Sequence, residues 1–211
     1  MAATIFTHIF ASKMAATDPA LFRSCVLVGM NANSLGIETY RYKKVLADLE
    51  EKGLDKEARV LRDIGTPPWG AEETSSWADV LESYVPFEWV WGPIDRARVE
   101  NAPMKAIEAE DYTIEELQDA FMKSLPASVK ALSNDYYAFN AIQDVPQIDV
   151  PVFFVQGSLD FNTPSQFARS YYDQLNAPAG KNWLELKGHG HMVLYEAPEK
   201  FRDVLRQAAG K

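Results

Sequence analysis

Two residues near the end of the chain have the types and placement for proton transfer, Asp160 and His191. Asp160 follows the β-forming run Val152–Val155 and Gly157, and His191 follows the run Trp183–Leu186 and Gly188. A carboxylate held against an imidazole selects the ring nitrogen that carries the proton, and it stabilises the ring when the other nitrogen takes up a second one. Such a pair is a general base, and beside a hydroxyl or thiol it becomes half of a nucleophilic machine. Bland alternatives exist for both residues. Asp160 also suits an Asx turn at the end of a strand, and His189 competes with His191 but is expected to line the loop. Asp149 precedes the strand, Asp173 falls on the next helix and Asp144 in a linker, so none of them is placed as the acid. His8 is expected to be a packed or surface histidine on a helix.

The elements that would hold the pair alternate. After Val152–Val155 comes a helix with Phe167, Tyr171 and Leu175 on one face. After the histidine loop a last helix starts at Pro198 and should turn Phe201, Val204, Leu205 and Ala208 inward. Strands separated by helices imply a parallel sheet with right-handed crossovers, and open α/β sheets form sites at the carboxyl ends of their strands. At the other end of the chain, Ile5, Phe6, Ile9, Phe10 and Met14 recur at helical spacing from about Ala3 or Thr4 until Asp18–Pro19. The run Cys25–Gly29 then reads as a short buried strand.

Between Asn31 and Gln147 only helical patterns are expected. Tyr42, Val45, Leu46 and Leu49 form one face, ended by Gly53. Leu54, Ala58, Leu61 and Ile64 form a second, ended by Gly65, Pro67 and Pro68, and Trp77, Val80, Leu81 and Tyr84 form a third, closed by Pro86. Thr113 and Glu116 make a capping box ahead of Leu117 and Phe121, and Leu132, Tyr136 and Phe139 continue the pattern. The stretch Trp91–Asp111 is the least regular and is expected to be a loop. The reading is one α/β core, residues 1–30 and 148–211, interrupted by a helical cap over 31–147.

Composition narrows the chemistry. The 211 residues carry a formal charge of −9, 47% hydrophobic and 24% charged residues. This is a globular composition, and its acidity argues against nucleic-acid or anionic-membrane partners. The lone Cys25 excludes an internal disulfide and a cysteine-rich metal site, and it reads as a buried structural thiol. No histidine–carboxylate spacing suggests a metal, no glycine-rich loop cradles phosphate, and no cofactor is expected. No stretch approaches the roughly 18 apolar residues of a membrane span. The acid-free N-terminus has only Lys13 as a strong base, which is poor for a transit peptide, so the cytoplasm is the default expectation.

The segments VPVFFVQGSLDFNTP and KGHGHMVLYEAPEKF resemble the C-terminal part of the α/β-hydrolase superfamily. The matching residues are Gly157, Asp160 and Pro164, then Gly190, His191, Met192 and Pro198. Within that superfamily LVGMNAN, ETYRYKKVLADLEEKG and LRDIGTPPW look like the proline-iminopeptidase-like serine hydrolases, which carry a helical cap over the site. The resemblance implies a partial α/β-hydrolase fold and a Ser-Asp-His triad in that chain order, with Asp160 as acid and His191 as base. It implies acyl transfer on a small peptide, amide or ester. An aminopeptidase-like enzyme also needs a carboxylate for the substrate amine. Glu38, Glu72, Glu73, Glu88, Glu108 and Glu110 are candidates that the sequence does not separate. The cap aromatics Trp69, Trp77, Trp89, Trp91, Tyr136 and Tyr137 could equally line a pocket or form the core of the cap, so substrate-binding residues stay open.

One part of the pattern is missing. No G-x-S-x-G elbow occurs in the 211 residues. The nearest string, Asn33-Ser34-Leu35-Gly36, lacks the first glycine and follows the wrong strand. The elbow should precede the N-terminal helix, which places the serine at or just before Met1. The expectation is a hydrolase-family chain holding the acid and the base but not the nucleophile, and inactive alone. The alternatives are a non-catalytic binding or interaction module and an inactive truncated gene product. The Cys25–Gly29 strand would then offer an unpaired edge for self-association or for an N-terminal partner chain.

Overall fold

The structure, a computed structural model, describes residues 2–97, 101, 105, 107–109, 112–120, 123 and 125–210. Three short strands form a parallel sheet in the order β1 (Cys25–Val28), β2 (Val152–Gly157), β3 (Lys181–Leu186). Cys25 lies opposite Val152, and Val152 lies opposite Lys181. The central β2 is buried along its whole length. That is why VFFVQG reads as a continuous apolar run rather than an alternation. Its side chains still divide by parity. Val152 and Phe154 enter a cluster with Leu27, Ala168 and Tyr171, while Phe153 and Val155 pack with Val193, Val204 and Ala208 on the other face.

Helix α1 (Ala2–Thr17) covers the first face beside β1. It buries Ile9, Ser12 and Ala15 and leaves Phe10 and Met14 about half exposed. The sequence pattern grouped Phe10 and Met14 with Ile9 at helical spacing. The small Ser12 and Ala15 let the helix lie close to the sheet, and that rotates the larger side chains outward. The Ser12 hydroxyl is satisfied within the helix, donating to the His8 carbonyl at 2.7 Å.

The cap follows as α2 (Ser34–Glu51), α3 (Asp55–Ile64), α4 (Ala71–Tyr84), α5 (Phe87–Trp91), α6 (Ile114–Asp119), α7 (Leu125–Ala138) and α8 (Ala141–Asp144). No strand occurs there among the described residues. Tyr42, Val45, Leu49, Ala58, Leu61, Trp69, Trp77 and Val80 form its own apolar cluster. The Thr113–Glu116 capping box is present in both directions. Two readings change. Phe87–Trp91, placed after a helix stop at Pro86, is itself a short helix ending at Gly92. The stretch expected to be irregular also holds helical hydrogen bonds, from Asn101 N–H to the Ala97 carbonyl and from Lys105 N–H to that of Asn101. Phe121, Glu110 and Asp111 lie outside the described residues.

The two ends of the helical stretch meet. Asn33 and Asn140 form an antiparallel bridge, and Ala141 N–H donates to the Ala32 carbonyl at 2.8 Å. After β2 come α9 (Ser165–Gln174), then β3, the turn α10 (Val193–Glu196) and α11 (Pro198–Ala208). In α11, Val204 and Ala208 are buried, but Leu205 is 44% exposed, against the inward position the spacing suggested. Val204 and Ala208 fill the face of the helix turned to the sheet, and Leu205 falls on the solvent side.

Candidate active site

Asp160 and His191 leave the carboxyl ends of β2 and β3, and adjacency of those strands brings the two loops together. His191 Nδ1 lies 2.9 Å from Asp160 Oδ2. The Asp160 side chain is fully buried and that of His191 is 14% exposed, so the acid is sealed and the imidazole still reaches the surface. Asp160 both closes the turn and faces the imidazole. Its Oδ1 accepts the Thr163 N–H at 2.8 Å, which is the turn, and its Oδ2 accepts the Thr163 hydroxyl at 2.8 Å as well as facing the imidazole. A carboxylate only accepts. Nδ1 is therefore the protonated nitrogen, and Nε2 is left with its lone pair, as a general base requires.

Close packing of backbone holds this geometry. Leu159 N–H donates to the His189 carbonyl at 2.8 Å, joining the acid loop to the base loop. A Cβ on Gly157 would lie 2.0 Å from the Gly190 carbonyl oxygen, so the end of β2 can touch the histidine loop only as glycine. Gly29, just past β1, has φ +58°, and its position lets it lie against the imidazole: a Cβ there would be 3.0 Å from His191 Nδ1 and Cε1. The sequence reading missed Thr163 and the contacts of Gly29 and Gly157. The signal was present in the D-x-x-T spacing and in a glycine closing each apolar run.

The cap grips the acid loop. Phe161 packs on Trp89 with ring centroids 5.3 Å apart, and Asn162 donates to the Val90 carbonyl and accepts from Arg41 at 3.2 Å. Arg41 is buried between the rings of Trp77 and Phe161 and pairs with Glu38 at 2.9 Å. Tyr136 donates to the same carboxylate at 2.9 Å, and burial holds its phenol well above the usual range. Of the six glutamates considered for amine recognition, Glu38 is buried but already neutralised by Arg41. Glu72, Glu73, Glu88 and Glu108 are exposed, and Glu110 is outside the described residues.

The remaining candidates sit elsewhere. His189 turns back on its own loop, with Nδ1 2.9 Å from the Lys187 carbonyl. Ser34 is fully buried at the start of α2 and donates to Asn31. Burial pushes the Cys25 thiol up to about 11, which removes it as a nucleophile at neutral pH. Asp149 accepts from Gln147, Asp144 accepts the N–H of Asn140, the N-cap of α8, and Asp173 pairs with Arg169. Among the described residues no group of three or more His, Cys, Asp or Glu could hold a metal, and no helix is long and apolar enough to cross a membrane.

His8 is the unforeseen neighbour. It is buried, and α1 brings it within electrostatic reach of both His191 and Asp160. Burial first, and His191 second, lower it from 6.5 to about 4. Unfolded, it would bind a proton from about pH 6.5 downward, while folded it does not until about 4. The unfolded chain therefore holds more protons in that window, and stability falls as pH falls through it. The full effect is about 3 kcal/mol. Urea denaturation across pH 7 to 4, wild type against His8→Gln, reads it as the difference in slope. Equal slopes would show that His8 does not carry the effect.

The parallel sheet, its flanking helices and the helical insertion together make a partial α/β-hydrolase fold. Comparisons with known proteins place the chain in the same company. It is similar to MGS-M2, an α/β hydrolase from a Medee basin deep-sea metagenome library, at TM-score 0.56 and 15% identity, covering 98% of this chain and 62% of that one. It is 26% identical over 192 residues to the probable aminopeptidase YbaC of Bacillus subtilis (strain 168), covering 90% of this chain. The chain spans 58% of that relative's length. It also overlaps a proline iminopeptidase from Mycobacterium smegmatis at 15% identity and TM-score 0.46, over 95% of this chain and 60% of that one. No protein-family model matches.

Proposed function

We propose that this chain supplies the acid and the base of a Ser-Asp-His hydrolase of aminopeptidase or esterase type, acting on a small peptide, amide or ester. The observation that carries the reading is the 2.9 Å contact between a sealed Asp160 and a partly open His191. The similarity to a probable aminopeptidase supports it. In the reaction, His191 Nε2 takes the serine proton as Oγ attacks the carbonyl carbon. It returns that proton to the leaving amine or alcohol, and water then repeats the sequence to release the acid. Asp160 keeps Nδ1 protonated throughout.

On this reading the serine is supplied by a segment other than residues 1–211, which contain no G-x-S-x-G string. Two features suit its arrival at the start of α1. His8 on that helix is within electrostatic reach of His191, and β1 has β2 as its one strand neighbour among the described residues, which leaves an edge for another strand. A second copy of the chain could occupy the same edge, and sedimentation with and without the serine-bearing segment separates the two arrangements.

The test is hydrolysis of aminoacyl and p-nitrophenyl esters, together with labelling by a serine-directed fluorophosphonate. Residues 1–211 alone should do neither. Both activities should appear when a polypeptide carrying the G-x-S-x-G segment is supplied, and turnover should disappear with His191→Ala. Labelling of a serine within residues 1–211 would overturn the placement of the nucleophile. Turnover indifferent to His191→Ala would leave the chain as a binding module.

A further inference from the structure

The histidine loop is short and rich in glycine, yet it presents His191 at hydrogen-bonding distance from Asp160. Something must hold it. Glu196 is the last residue of α10, and its side chain folds back over that turn. One oxygen, Oε2, accepts the Gly190 N–H at 2.7 Å, and the other, Oε1, accepts the Met192 N–H at 3.1 Å. Its own backbone N–H donates to the Met192 carbonyl at 2.9 Å. The carboxylate thus spans His191, gripping the backbone N–H of the residue on each side of it. Hydrogen bonds from backbone N–H to a charged oxygen are among the stronger ones a loop can make.

The clamp is backed by the cap. Gly92, with φ +80°, ends α5 and presses on both partners: a Cβ there would lie 2.5 Å from Glu196 Oε1 and 2.8 Å from Gly190 Cα. A Cβ on Gly190 would lie 2.3 Å from Gly92 Cα. The glutamate is confined between the loop it holds and the backbone of the cap.

We propose that Glu196 is a positioning residue for His191, fixing the loop so that Nδ1 meets Asp160 and Nε2 faces the open side. The proposal rests on the reading of His191 as the base, and it is tested without substrate. Long-range 1H–15N spectra of the imidazole, recorded at alkaline pH, report which nitrogen is protonated. In the wild type His191 should be the Nδ1–H tautomer. In Glu196→Ala, with far-UV circular dichroism unchanged, the Nδ1–H population should fall toward the mixture of a solvated histidine, and the Gly190 and Met192 amide resonances should move. If Glu196→Ala does not fold, Glu196→Gln keeps the volume but turns an amide donor toward one of the two N–H groups, and the same tautomer loss is expected. An unchanged Nδ1–H tautomer in either folded variant overturns the proposal. Failure of the catalytic reading looks different: turnover would be indifferent to His191→Ala, whatever Glu196 does to the tautomer.

Discussion

Asp160→Asn should leave the fold intact and reverse the tautomer of His191. The asparagine carbonyl can still accept the Thr163 N–H, as Oδ1 does now at 2.8 Å. Its amide group then faces His191 Nδ1, where Oδ2 now stands at 2.9 Å. An amide N–H donates, so Nδ1 must accept, and the ring proton moves to Nε2. A protonated Nε2 cannot take a proton from a nucleophile. In the serine-protease triad the same exchange costs about 10⁴ in turnover, and a fall of that order is expected here wherever serine-bearing protein shows activity. The tautomer itself is measurable in residues 1–211 alone, by 15N spectra of the imidazole. Retention of the Nδ1–H form in the variant would mean that Asp160 does not set the state of His191.

Gly157→Ala should have the largest effect on stability. The new methyl would fall 2.0 Å from the Gly190 carbonyl oxygen and 2.4 Å from that of His189. Both are backbone atoms, so no side chain can swing aside. Either β2 shifts, which disturbs its pairing with Leu186, or the histidine loop lifts and breaks the Leu159–His189 hydrogen bond. Overpacking usually costs about 1–3 kcal/mol, and a rigid backbone contact belongs at or above the top of that range. Urea denaturation should show a loss of about 3 kcal/mol or more, accompanied by loss of the Nδ1–H tautomer. A variant with wild-type stability would show that the two loops are not in this contact. Serine at 157 would meet the same atoms and is expected to do no better.

The site has layers that the sequence encodes unequally. Strands and loops were legible because their causes are local. β-Branched and aromatic runs ended by glycine place Asp160 and His191 after β2 and β3, and a capping box announces α6 before any packing is known. The helical stretch was legible as helices for the same reason. Its short member Phe87–Trp91 was not, because five residues make barely more than one turn and Pro86 reads as a stop rather than as a helix start.

Orientation was less legible than existence. In α1, periodicity admits more than one stripe, and burial of Ile9, Ser12 and Ala15 instead of Phe10 and Met14 depends on how closely the sheet lets a helix approach. Leu205 is exposed for a related reason, since the face of α11 that meets the sheet is narrower than the apolar stripe in its sequence.

By itself, then, the sequence determined the alternation of strand and helix, the two residues capable of acid–base work, their order, and the absence of a G-x-S-x-G string among 211 residues. These follow from residue type and short spacing. Only the tertiary structure decided that β2 and β3 are neighbours, so that Asp160 and His191 meet at 2.9 Å. It alone showed that Thr163 shares the carboxylate, that Gly29 and Gly157 make room for the ring and its loop, that His8 lies within electrostatic reach, and that Glu196 holds the N–H groups of Gly190 and Met192 on either side of His191. Most of those contacts join residues far apart in the chain. Glu196 is close in sequence, but only the structure shows its side chain folded back onto its own turn, with the Gly92 backbone of the cap lying against it.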